Sequence, residues 1–60
     1  MSKPAVGTKV LVREGGYQGD PWIAATVTEH LMMQFMAETE SGRVVFGVYT
    51  WEGESWKKDR

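Results

Sequence analysis

The residues best equipped for chemistry in this 60-residue chain are four aromatics: Tyr17, Trp22, Tyr49 and Trp51. Each offers a flat apolar face and a polar tip that can hydrogen-bond. Carboxylates sit close to them in sequence, Glu14 and Asp20 around the first pair and Glu52 beside the last. Ring faces attract cations, and extended proline-rich segments dock on aromatic grooves. Aromatics beside acids therefore suit a basic or proline-rich peptide. The expected partner-binding set is Tyr17, Trp22, Tyr49 and Trp51, with Glu14 and Asp20 as polar contacts. Ordinary packing at the mouth of a barrel is the alternative use of Trp22 and Tyr49.

A second set is basic. Lys9, Arg13 and Arg43, with the C-terminal Lys57, Lys58 and Arg60, could meet a phosphate backbone. The overall balance disfavours that use. Seven Lys and Arg stand against eight Asp and Glu, a formal charge of −1, whereas nucleic-acid binders usually show a basic excess. Nucleic acid is the alternative partner, and a protein or peptide the leading one. A third set, Met32, Met33 and Met36 beside Leu31 and Phe35, is either core or an adaptable surface. On a strand, Met32 and Met36 would share an outward face and could join two copies.

Catalysis needs a nucleophile beside a base, or paired carboxylates in a pocket. His30 is the single histidine and has Glu29 beside it, on the opposite face of any strand. No cysteine is present, so disulfides and thiolate metal sites are excluded. The residues imply no enzyme, no metal and no cofactor.

The elements that must position these groups read as short strands. Lys9–Arg13 alternates, with Val10 and Val12 expected on a buried face. Residues 14–21 hold three glycines and a proline and form a loop carrying Tyr17. Trp22–His30 is rich in β-branched residues, with Ile23, Ala25 and Val27 on one side. Residues 31–40 are ambiguous. Leu, Met, Gln, Ala and Glu favour a helix, which would give an α+β fold with a helix over 29–39. The strand before and the turn signal after favour a strand. Glu40-Ser41-Gly42 marks a hairpin. Arg43–Thr50 is a strand in which Val44, Phe46 and Val48 are expected to join the core and Gly47 to mark a bulge or bend. A last short strand surrounds Trp56.

These signals predict a mostly β chain: a flexible tail over 1–7, one small barrel of four to five antiparallel strands over 8–57, and a solvated end over 58–60. A chain this short buries only about 60% of its unfolded surface, so closing the sheet on a single core is the economical arrangement. No apolar run approaches the roughly 20 residues of a membrane span, and residues 1–8 lack the apolar stretch of a secretory leader. A cytoplasmic location is expected, in the manner of small accessory proteins such as those of phages.

The order of Gly7-x-x-Val10-x-Val12, a loop with an aromatic, and Trp22-Ile23-Ala24-Ala25-Thr26-Val27-Thr28-Glu29 resembles the SH3-like barrels. Among them it is most similar to Tudor domains, which share a W-x-x-A-x-V second strand. The resemblance covers about Gly7 to Tyr49. It implies recognition of a methylated cation in an aromatic cage, with Tyr17 and Trp22 as two walls. The family's further aromatic after the third strand has no counterpart in Glu38-Thr39-Glu40-Ser41-Gly42, so the implied cage is incomplete.

Overall fold

A computed structural model describes residues 3–15 and 19–59. It contains five strands: β1 (Lys9–Arg13), β2 (Trp22–His30), β3 (Gln34–Thr39), β4 (Val44–Val48) and β5 (Trp56–Lys58). A single 3₁₀ turn over Tyr49–Trp51 leads from β4 toward β5. All pairs are antiparallel, and the sheet order is β4-β3-β2-β1-β5. The sheet curls into a half-barrel compatible with an SH3-like fold.

Alternation works where one face is polar. Val10 and Val12 of β1 and Val27 of β2 are fully buried, and Ala25 of β2 is nearly so. Pairing slips by one residue between Val27 and Glu29, leaving a bulge at Thr28 whose hydroxyl donates to the Met36 carbonyl at 3.3 Å. Phe35 and Ala37 of β3, Val45 of β4, Tyr49 and Trp56 complete the core. The Phe35 ring meets Trp56 edge-on at 5.2 Å between centroids.

The ambiguous segment is a strand, not a helix. Its central residues pair on both sides, Ala37 with Val27 of β2 and with Val45 of β4. Two flanking ladders outweigh a helix preference worth only tenths of a kcal/mol per residue. The strand is also shorter than 31–40. The Leu31 N–H donates to the Gln34 carbonyl at 2.8 Å, so the chain reverses over Met32 and Met33. No glycine, proline, Asn or Asp announces this turn. Tyr49 secures it instead, through its N–H to the Met33 carbonyl at 3.3 Å and its hydroxyl to the Leu31 carbonyl at 2.9 Å.

In β4 the expected faces are exchanged. Val45, Gly47 and Tyr49 point inward, while Val44 and Phe46 are 50% and 44% exposed. The reason lies at Gly47, which pairs with Phe35. A Cβ on Gly47 would come within 2.7 Å of the Phe35 ring at Cε2. Real side chains do not tolerate that distance, so the glycine is the floor beneath the ring rather than a bulge. The hairpin before β4 follows expectation, with Gly42 at φ +89° and Thr39 Oγ1 accepting from the Arg43 N–H at 3.1 Å.

Residues 3–7, expected within a free tail, are tied to the barrel. Pro4 is buried, its carbonyl accepting from His30 Nε2, and the Gly7 N–H donates to the Val27 carbonyl at 2.8 Å. At the other end, Lys58 belongs to β5 and pairs with Val10.

Candidate functional site

A five-stranded sheet that does not close has two edge strands, here β4 and β5. In an antiparallel pair, residues alternate between those bonded to the neighbour and those turning their N–H and C=O the other way. The Thr39 N–H bonds the Arg43 carbonyl at 2.8 Å, and the Tyr49 N–H bonds Met33. Arg43 and Tyr49 are therefore bonded toward β3, and the alternation adds Val45 and Gly47 between them. Val44, Phe46 and Val48 turn their backbone groups to the open side.

Val48 shows this directly. Its N–H donates to Ser55 Oγ at 3.3 Å, and its carbonyl accepts from Trp56 Nε1 at 2.8 Å. Both side chains are buried, so this end of the edge is sealed. Val44 and Phe46 meet no such partner among the described residues. Beside them lies a concavity of about 200 Å³, lined by Arg13, Glu14 and Gly15 across from Val44, Val45 and Phe46. On the outer face, Phe46 pairs with half-buried Met36 of β3. Among the described residues, an unpaired stretch of strand thus runs beside exposed apolar side chains, and β4 itself holds no lysine, proline or inward charge to guard it.

The expected peptide site is divided. Tyr17 lies outside the described residues. Trp22 is half-buried and covered by the chain's own cations: the Arg13 guanidinium stands 4.0 Å and the Lys57 ammonium 4.7 Å from its ring. Arg13 is held there by bonds to the Asp20 carbonyl at 2.7 Å and the Glu54 carbonyl at 3.1 Å. These bonds bring the end of the first loop beside the turn that follows Trp51, which is 53% exposed. Tyr49 is not at this end. It is 5% exposed and packs on Phe35 and, edge-on, His30 at the far end of β2.

Glu14 and Arg43, assigned to different expected sites, pair with each other at 3.1 Å. Both are about half exposed, so the pair adds under about 1 kcal/mol of stability. It does neutralise the border of the β4 edge. Of Lys9, Arg13 and Arg43, the strand cations offered for phosphate, the two arginines are thus engaged within the chain. Lys9 stands on the outer face of β1, beside a concavity of about 270 Å³ also rimmed by Glu38, Glu40 and Asp59. Met32 is 90% exposed at the hairpin tip, whereas Met36 is half-buried on β3, so the two do not share one face.

Among the described residues, no three His, Asp or Glu side chains approach closely enough to share a metal ion. Compared with family models, curated proteins and solved structures, the chain matches none. The open stretch of β4 was missed in the sequence because it is made of backbone. Its side-chain signal, consecutive Val44, Val45 and Phe46, reads equally well as core.

Proposed function

We propose that this chain is a non-catalytic interaction module that accepts an extended protein segment as a sixth strand on β4. One observation carries the reading: among the described residues, Val44 and Phe46 present unpaired backbone groups beside their own exposed side chains. In strand addition, main-chain bonds supply affinity, and alternate side chains supply selectivity. Here the selective surface is Phe46 with Met36, which favours apolar residues at every second position of the partner.

On this reading the partner binds along β4 rather than at the aromatic-acidic end. The Tudor likeness of Trp22–Glu29 would add recognition of a cation at Trp22, but the ring already faces Arg13 and Lys57. An incoming cation would have to displace a guanidinium held by two carbonyls.

The test is an NMR titration of the chain with a synthetic extended peptide of alternating valine and threonine. Amide signals of Val44 and Phe46 should shift more than those of any β5 residue, and Val44→Pro should abolish the response. Proline is tolerated on a strand edge when its missing N–H faced solvent, so the variant should stay folded. Shifts centred on Trp22 and Trp51 instead would overturn the assignment.

A further inference from the structure

The open stretch of β4 is complementary to itself, and this narrows what covers it. We propose that a second copy of the chain does so, β4 against β4, antiparallel about a two-fold axis beside Val45. The inference rests on the strand-accepting reading above. An added antiparallel strand bonds at every second residue, so it must offer groups opposite both Val44 and Phe46. Setting Val44 of one copy opposite Phe46 of the other uses every backbone group that this stretch of β4 leaves open among the described residues. Neighbouring registers do worse. With Phe46 opposite Phe46, Val44 falls opposite Val48, whose groups Ser55 and Trp56 already hold. With Val44 opposite Val44, Phe46 falls opposite Gly42, whose N–H is bound to the Thr39 carbonyl at 2.9 Å.

The side chains fit the same register. Val44 lies against Phe46 of the other copy, and Met36 extends that apolar row through its pairing with Phe46. Arg43 comes opposite Gly47, its charge already met by Glu14. Glu38, which pairs with Val44, stands at the outer end of each row, away from its counterpart. No like charges are opposed, and the two-fold closes without leaving a new edge between the copies.

The contact is small. Standard interfaces bury about 1,600 Å², and an edge this short buries much less, so a dissociation constant on the order of 100 µM is expected. Sedimentation of the full chain at concentrations below and above that value should show a monomer–dimer equilibrium. Hydrogen exchange at the Val44 and Phe46 amides should slow as the dimer forms. Phe46→Lys, which places a charge on an exposed position, should weaken association at least about tenfold while leaving the melting curve nearly unchanged. Met32→Ser should leave it unaltered.

A dimer that survives Phe46→Lys or is lost in Met32→Ser overturns the proposal. So does a chain that stays monomeric at all concentrations. In the monomeric case the valine–threonine peptide separates the two failures. A response at Val44 and Phe46 leaves β4 as a strand acceptor for another protein, and no response removes that reading as well.

Discussion

The two edges of this sheet face the same physical problem and meet it differently. An edge strand displays unpaired N–H and C=O groups that template further pairing. β5 is three residues long, carries Lys57 and Lys58, and has the Trp56 carbonyl bonded by the Gly53 N–H at 2.6 Å. Shortness, charge and a backbone tie together discourage addition. β4 is apolar throughout and, among the described residues, is sealed only at Val48, by Ser55 and Trp56. One edge is guarded along its length and the other at one end, and the unguarded part is where Val44 and Phe46 expose apolar surface. Protection in so small a sheet is thus applied locally, residue by residue.

The strongest way to break the contrast is Trp56→Ala. It removes the largest buried side chain and the indole N–H that seals Val48. Such truncations cost about 3–5 kcal/mol. A 60-residue domain has only about 3–9 kcal/mol to lose, so the variant should be largely unfolded by circular dichroism at room temperature.

Ser55→Ala sharpens it. The Val48 N–H loses its buried acceptor, which should lower stability by about 1 kcal/mol in a denaturant titration. It also lengthens the open stretch of β4, so sedimentation should show stronger self-association in a less stable protein. Unchanged or weaker association would mean that the seal at Val48 does not limit pairing.

The smallest effect on stability is expected from Lys57→Thr combined with Lys58→Val. Both lysines are exposed, and such changes usually stay within about 0.5 kcal/mol. The β5 edge loses its charges, however, and light scattering should then reveal assemblies larger than a dimer. If the doubly substituted chain scatters like the parent, charge is not what guards β5.

Much of the fold was legible in the residues. β1 and β2 alternate because each buries one face, so period two shows in Val10/Val12 and in Ala25/Val27. The hairpin at Glu40-Ser41-Gly42 was legible because positive φ selects glycine. The turn at Met32-Met33 was not. Its support comes from Tyr49, and no local residue type records a bond made 16 to 18 positions away. The candidate site was legible only in part. Arg13 draws the first loop and the turn after Trp51 together, as the aromatic-acidic reading required, yet Tyr49 is turned into the core and Glu14 is spent on Arg43.

By itself, the sequence determined a small all-β chain with a single core, from its alternating apolar residues, its turn glycines and its lack of cysteine. Tertiary structure decided three further things. It made 34–39 a strand, because ladders on both sides outweigh helix propensity. It chose the inward face of β4, because Val44-Val45-Phe46-Gly47-Val48 has no polar face to break the tie and only Gly47 leaves room for the Phe35 ring. It left Val44 and Phe46 open along the edge, because the outward turn of a backbone group depends on hydrogen-bond register, which exists only once two strands have met.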